Sequence, residues 1–292
     1  MPFEGLLLNP YTKRQLELFI KQPSHALLIS GPVGAGKKHI ARHLSANLLG
    51  VDFEDISNHP YSIVLTKPAD KSEISIDAAR ELIKKMSLKV PADPGGVNRI
   101  ALVEDAGLLS HEAQNALLKL IEEPPAGSLI ILTAVSAGDV LPTIASRLQK
   151  ISVLPAGLDE SQEFFGANYS PSEIASQWRL SQGAVGLLSA LLSQAEDHPL
   201  RLAVNQAKKF LTLNKYNRLI YLQALAKNKS ELGIFLEALA RVLAALQAAS
   251  SSRADPKKLL KCRELVHQTL NSISKNTNPR LLALNLALNM PL

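Results

Sequence analysis

The chain has 292 residues, which is more than one hydrophobic core usually supports, so two or three domains are expected. Apolar residues make up 46% of the chain and charged residues 20%, which excludes an intrinsically disordered protein. The formal net charge of +6 is compatible with work near nucleic acid, but many cytoplasmic proteins carry a similar charge.

Cysteine content and hydropathy narrow the class of protein further. Cys262 is the single cysteine, so an intrachain disulfide and a cysteine zinc cluster are excluded, and a small apolar core residue is expected there. The first residues lack the regions of a signal peptide, and no apolar run approaches the ~18–20 residues of a membrane span. The sequence therefore predicts a cytoplasmic protein that does not enter a membrane.

The first half of the chain alternates short apolar runs with helical patterns. The runs have little polar alternation, as is typical of strands buried on both faces of a parallel sheet. They predict strands at residues 26–30, 62–66, 99–103, 129–133 and 150–153.

Three apolar stripes at helical spacing lie between these strands. The first ends at Gly50, and the third begins after Ser110 as N-cap and ends before Pro124 and Pro125. Their members are Ile40, Ala41, Leu44 and Leu48; Ala79, Leu82, Ile83 and Met86; and Ala113, Ala116, Leu117, Leu120 and Ile121. Strands alternating with helices predict a three-layer α/β domain over residues 1–155.

The strand signals stop after Pro155. Residues 156–195 are predicted to form a small helical domain, in which Ser170 and Pro171 open a helix. Residues 196–292 are rich in Leu and Ala and predict a helical bundle with a linker at residues 250–256. Residues 234–246 carry apolar side chains on more than one helical face, which favours a surface shared with another chain.

A glycine-rich loop lies between the first predicted strand and the helix that follows it. It reads GPVGAGK over residues 31–37, with glycines at Gly31, Gly34 and Gly36 and a lysine at Lys37. Such a loop directs backbone N–H groups toward phosphate, and its lysine contacts the β- and γ-phosphates. A P-loop fold is therefore predicted.

The residue after this loop departs from the usual pattern. An active P-loop has Ser or Thr there, whose hydroxyl binds Mg²⁺, whereas this chain has Lys38, whose ammonium offers no lone pair. Lys38 either points to solvent and only weakens the site, or marks the loss of hydrolysis. The second interpretation is favoured because other parts of the site also deviate.

The acidic residues expected at the end of the third strand are Glu104 and Asp105. P-loop ATPases of this kind usually place Asp before Glu, one organising the metal and one polarising the attacking water. The reversed order displaces each carboxylate, and errors near 1 Å are costly for catalysis. A degenerate metal site is favoured over two ordinary acids at a strand end.

Several segments resemble the bacterial clamp-loader subunits of the gamma/tau and delta-prime types. They include QNALLKLIEEPP at residues 114–125, LPTIASRLQ at 141–149, and upstream residues 59–60 and 74–82. The resemblance covers residues 1 to about 190. It implies an AAA+ P-loop domain at residues 1–155, a helical lid at 156–195 and an oligomerising collar at 196–292.

The resemblance also implies roles for single residues. Arg147 matches the family's arginine finger, which reaches the ATP site of a neighbouring subunit, although a capping or surface arginine remains an alternative. Thr133 lies near the sensor 1 position. Gly186 stands where active subunits have the sensor 2 arginine, and the family's zinc module is absent, so no metal is implied.

These departures favour a delta-prime-type subunit of the DNA polymerase III clamp loader, which helps to load the sliding clamp with little ATPase activity of its own. No cofactor is required, and weak ATP binding without turnover is left open. The implied partners are gamma/tau and delta subunits, the sliding clamp and primer-template DNA. The alternatives are an active gamma/tau-type ATPase and an unrelated P-loop enzyme such as a small-molecule kinase.

Overall fold

The five predicted strands form one parallel sheet in the order β2-β3-β4-β1-β5. Each observed strand begins and ends within one residue of its prediction, which confirms the pattern of short, buried apolar runs. The strands are β1 (Ala26–Ser30), β2 (Ser62–Leu65), β3 (Arg99–Val103), β4 (Ser128–Ala134) and β5 (Gln149–Ser152).

The structure is a computed structural model that describes residues 3–90, 96–195, 198–249, 255–274 and 277–291. Residues 250–254 of the predicted linker lie outside the described residues. The chain divides into two compact units, residues 1–160 and 161–292. The further division of the helical part into a lid and a collar stays a prediction.

The helices of the first unit begin and end where local signals place them. The side chain of Ser110 accepts a hydrogen bond from the backbone N–H of Ala113, and Gly50 ends its helix in the left-handed conformation with φ 66°. The helices are α1 (Pro10–Lys21), α2 (Lys37–Leu49), α3 (Ile76–Met86), α4 (His111–Glu122) and α5 (Pro142–Ala145), and 3₁₀ turns form at Ala106–Leu108 and Ala137–Asp139. A sixth helix, α6 (Leu158–Phe165), crosses the division between the units.

Alternate residues of the strands face two separate apolar cores. Leu27 and Ile29 of β1 pack in a cluster with residues of α1 and α2, whereas Leu28 belongs to a cluster with residues of α3 and α4. Helices therefore cover both faces of the sheet, which confirms the three-layer α/β domain and explains the lack of polar alternation along the strands.

The second unit is helical. A capping box between Ser170 and Glu173 opens its first full helix, and Gly183, with φ 73°, separates that helix from the next. The helices are α7 (Pro171–Ser181), α8 (Val185–Leu192), α9 (Pro199–Thr212), α10 (Lys215–Leu225), α11 (Lys229–Ala248), α12 (Pro256–Ser274) and α13 (Pro279–Asn289). Cys262 is buried within α12. In the described stretches of the chain, no helix is long and apolar enough to cross a membrane.

The interpretation of residues 234–246 requires correction. These residues lie in α11, most of whose apolar side chains are buried because α7, α9 and α12 of the same chain pack around it, although Leu246 near its end is exposed. The additional apolar faces are thus explained for the most part by packing within the unit, and they do not by themselves indicate a surface shared with another chain. The large exposed apolar side chains of α9 to α13 are Leu202, Tyr216, Ile220, Leu246, Leu260, Leu281 and Leu288, and α10 and α13 carry two each.

Candidate phosphate-binding site

The predicted phosphate loop lies between β1 and α2. Gly34 and Gly36 adopt positive φ angles of 84° and 83°, a region that favours glycine. A Cβ at Gly31 would meet the carbonyl oxygen of Val153 at 2.9 Å. The three glycines of the motif are therefore required by the backbone path that carries the chain from the sheet into the N-terminus of α2.

Lys37 lies inside this loop, where only 7% of the residue is exposed. Its Nζ donates to the carbonyl oxygens of Gly31 at 2.7 Å and Pro32 at 3.0 Å. Burial lowers the pKa of Lys37 below its ordinary value, and the charge of Asp105 offsets part of that effect. The ammonium is thus held by the loop's own backbone and lies near the acidic residues that follow β3.

The order of the strands explains how the predicted site residues come together. Because β4 lies between β1 and β3, its end separates the phosphate loop from Glu104 and Asp105. Thr133 occupies that position, fully buried, and its Oγ1 accepts a hydrogen bond of 2.9 Å from the backbone N–H of Asp105. Asp105 has a φ of 55°, which is uncommon for a residue other than glycine, so Thr133 stabilises a strained turn.

Lys38 does not point away from the acidic residues. Its Nζ lies 2.7 Å from Oδ2 of Asp105 and 3.5 Å from Oε2 of Glu104, although 48% of the side chain is exposed. Burial lowers the pKa of Lys38, but the hydrogen bond to Asp105 and the charges of both carboxylates outweigh that effect, so its pKa is raised. Lys38 is therefore an ammonium ion in contact with the acidic pair.

Arg42 completes this cluster and is a residue that sequence reasoning missed. Its Nε and Nη2 donate to Oε1 of Glu104 at 3.0 Å and 2.7 Å, and Glu104 is only 4% exposed. Arg42 lies four residues after Lys38 in α2, so both cations lie on the same face of that helix. The four-residue spacing of the two cations could be seen in the sequence. It indicated an ion-pair cluster only once the structure showed that Glu104 faces α2.

The acidic pair does not fit the magnesium ion that the fold family implies. A magnesium site needs oxygen ligands with free lone pairs, whereas position 38 supplies an ammonium and both carboxylates already bind cationic side chains. Among the residues that the structure describes, no group of three or more His, Cys, Asp or Glu side chains could hold a metal ion. The cluster can stabilise charge, but it lacks the ligands of a hydrolytic metal centre.

Arg147 lies outside this cluster, just after α5. Its Nη1 donates to the carbonyl oxygen of Thr143 at 2.8 Å, and its Nε lies 2.6 Å from Oε1 of Glu122. The side chains of Arg147 and Glu122 are 41% and 43% exposed. The guanidinium thus lies at the surface, which is compatible with both an arginine finger and an ordinary surface arginine.

Gln114 connects α4 to the segment that carries Arg147. Its Oε1 accepts a hydrogen bond of 2.7 Å from the N–H of Leu141, and its Nε2 donates to the carbonyl oxygen of Leu109 at 3.3 Å. This positioning role was also missed, although a glutamine beside the buried stripe of α4 was a usable signal.

Gly186 lies in the first turn of α8. A helix therefore begins at the position where the resemblance implied the helix that carries the sensor 2 arginine in active subunits.

Comparison with known proteins identifies the family. The family described as "DNA polymerase III, delta subunit" matches residues 11–156, which is half of the chain. The chain belongs to this family. The matched region contains the phosphate loop, the acidic pair, Thr133 and Arg147.

Two relatives agree with this assignment, and both are DNA polymerase III subunits delta'. The protein of Pseudomonas aeruginosa is 31% identical over 149 residues, which are 46% of this chain and 44% of the relative. The protein of Escherichia coli K12 is 31% identical over 183 residues, which are 57% of this chain and 54% of the relative. The chain thus spans about half the length of the relatives it matches.

A solved structure shares the fold. It is a DNA polymerase III gamma subunit-related protein from Thermotoga maritima, with a TM-score of 0.53 and 17% sequence identity, and the match covers 95% of this chain and 97% of that one. The α/β fold with a phosphate loop and a helical C-terminal part is therefore confirmed. The match to the helical part is one of fold alone, since the family match ends at residue 156.

Proposed function

We propose that this protein is a delta-prime-type subunit of the DNA polymerase III clamp loader, acting in the cytoplasm without significant ATP hydrolysis of its own. The observation that carries the proposal is the contact of Lys38 with Asp105, at 2.7 Å, inside a chain of the delta subunit family. An ammonium group stands where hydrolysis needs a metal ligand, so the P-loop has kept its shape but not its chemistry.

The acidic pair supports this conclusion over an active gamma/tau-type ATPase. Hydrolysis needs one carboxylate to organise Mg²⁺ and another to polarise water. Here Asp105 binds Lys38, and Glu104 is buried against Arg42. Both carboxylates would have to lose their cationic partners before either could perform these roles.

Arg147 is proposed to complete the ATP site of a neighbouring subunit. Its guanidinium is partly exposed, and its ion pair is with Glu122, another exposed side chain. Such surface pairs contribute only about 0.2–1 kcal/mol, so the guanidinium can leave Glu122 for a phosphate at little cost. A planar guanidinium suits the charge that develops on a transferring phosphoryl group.

The proposed partners are gamma/tau and delta subunits, the sliding clamp and primer-template DNA. The collar is assigned to residues 196–292, where α10 and α13 carry the exposed apolar side chains Tyr216, Ile220, Leu281 and Leu288. Exposed apolar side chains of this kind suit subunit contacts. No cofactor is required for this role.

Co-purification with the gamma/tau and delta subunits of the same organism tests the proposal. The chain is expected to elute with them as one complex, and the isolated chain to show no ATP turnover. Failure to enter the complex would reject the clamp-loader role. Entry combined with turnover by the isolated chain would instead favour the gamma/tau-type alternative.

A further inference from the structure

The cluster at the carboxyl edge of the sheet is balanced in charge by the chain itself. Glu104 and Asp105 contribute two negative charges, and Lys38 and Arg42 contribute two positive charges in direct contact with them. Both cations come from α2, the helix that begins at the phosphate loop. Ordinary P-loop sites obtain the corresponding positive charge from a magnesium ion.

A divalent cation would have to compete with these two side chains. To reach Oδ2 of Asp105 it must displace the ammonium of Lys38, which lies 2.7 Å away. To reach Glu104 it must enter a buried position where Arg42 already holds Oε1 with two donors. The displaced cations would remain on the adjacent helix and repel the metal, so the position disfavours a divalent ion.

The same arrangement favours a phosphate ligand that carries no metal. Lys38 is half-exposed and has three N–H donors, so it can retain Asp105 while it reaches toward a ligand at the loop. Lys37 lies inside the loop as a second ammonium. A nucleoside triphosphate without Mg²⁺ has a higher negative charge than its magnesium complex, and two adjacent lysines match that charge better.

We propose that the phosphate loop binds nucleoside polyphosphates without a divalent cation, because Lys38 serves as a built-in cation in place of Mg²⁺. The proposal goes beyond the proposed function, which requires no cofactor, and concerns the weak ATP binding without turnover that the sequence leaves open. It concerns the isolated chain and does not depend on assembly with other subunits. The function of such a site is retention of nucleotide without hydrolysis.

The first test measures the binding of mant-ATP to the full chain by fluorescence, in EDTA and in excess MgCl₂. The wild type is expected to bind at least as tightly in EDTA as in MgCl₂. Lys37→Ala should abolish binding in both buffers, which places the ligand at the loop. Lys84→Ala, which removes an exposed lysine of α3, should bind like the wild type.

Two substitutions of Lys38 test whether binding in EDTA depends on a positive charge at this position. Lys38→Arg keeps a cation and should preserve binding in EDTA, whereas Lys38→Thr should weaken it about tenfold or more, a change of about 1.4 kcal/mol. Circular dichroism checks that each variant is folded. Equal binding in EDTA by the wild type and Lys38→Thr would overturn the proposal.

The second test adds Mn²⁺ to the nucleotide-free chain and follows the free ion by electron paramagnetic resonance. The wild type should leave the Mn²⁺ signal unchanged. Binding of Mn²⁺ that is lost in Asp105→Asn would overturn the proposal, as would mant-ATP binding that MgCl₂ strengthens tenfold or that is missing in EDTA. Co-purification with clamp-loader subunits is a separate measurement. A negative result in these binding tests would therefore leave the proposed subunit role intact.

Discussion

Replacing Arg147 with alanine removes a guanidinium that makes few contacts within its own chain. Its main contacts are an exposed ion pair with Glu122 and a hydrogen bond to the carbonyl oxygen of Thr143, beside a longer one of 3.4 Å to Oγ of Ser146. The first contributes about 0.2–1 kcal/mol, and the second contributes about 0.5–1.5 kcal/mol. The free energy of unfolding should therefore fall by no more than about 2.5 kcal/mol, and the chain should still fold and assemble.

The expected effect on a neighbouring ATP site is much larger. Loss of an arginine supplied in trans lowers phosphoryl transfer by about 10³–10⁵-fold at the affected site. The other sites of the complex would continue to turn over. Total ATPase activity should therefore fall only in part, while clamp loading falls more steeply.

The assay compares complexes reconstituted with wild-type chain, Arg147→Ala and a matched control. Arg80→Ala is a suitable control because Arg80 is also an exposed arginine in a surface ion pair, with Asp77 at 3.7 Å. Arg147→Lys keeps the charge but loses the planar donor geometry, and it should rescue little activity. If Arg147→Ala and wild-type complexes show equal ATPase and loading rates, Arg147 is an ordinary surface residue and the trans-acting role is rejected.

Three further predictions follow from the phosphate site and the helical unit. The isolated chain should hydrolyse ATP more slowly than about 0.01 s⁻¹, and Lys38→Thr alone should not restore turnover, which a coupled phosphate-release assay would detect. Arg42→Ala leaves buried Glu104 without its main partner, so urea unfolding should show a loss of about 1–3 kcal/mol; a loss no larger than in the exposed-arginine control would contradict this. Charged substitutions at Leu281 and Leu288, which are 62% and 50% exposed, should leave thermal unfolding unchanged but weaken co-elution with partner subunits; unchanged co-elution would exclude this face of α13 from the collar contacts.

The sequence alone was sufficient for the architecture of the first unit. Strands buried on both faces are short continuous apolar runs, and the helices between them carry apolar stripes. Both patterns can be recognised in the sequence without any knowledge of tertiary contacts. The phosphate loop could be predicted for a similar reason. Its glycines and Lys37 are consecutive, and a local backbone path with positive φ at Gly34 and Gly36 requires them.

In the helical unit, the positions of helices could be predicted from the sequence, but the way they pack against one another could not. Caps such as Ser170 are local signals and gave the start of α7. The apolar faces of α11 could not be assigned from sequence, because a face covered by the chain's own helices and a face covered by another subunit have the same composition. The tertiary structure assigned most of them to the chain's own core by packing α7, α9 and α12 around α11, while Leu246 stayed exposed.

The chemistry of the site was determined at the tertiary level. Lys38, Asp105 and Thr133 are far apart in the sequence, and the insertion of β4 between β1 and β3 brings them together. The sequence established that position 38 is a lysine, and so that a metal ligand is missing. Only the folded chain determined where that ammonium lies, because its position depends on carboxylates placed by a different strand, and it lies on the acidic pair with Arg42 beside it.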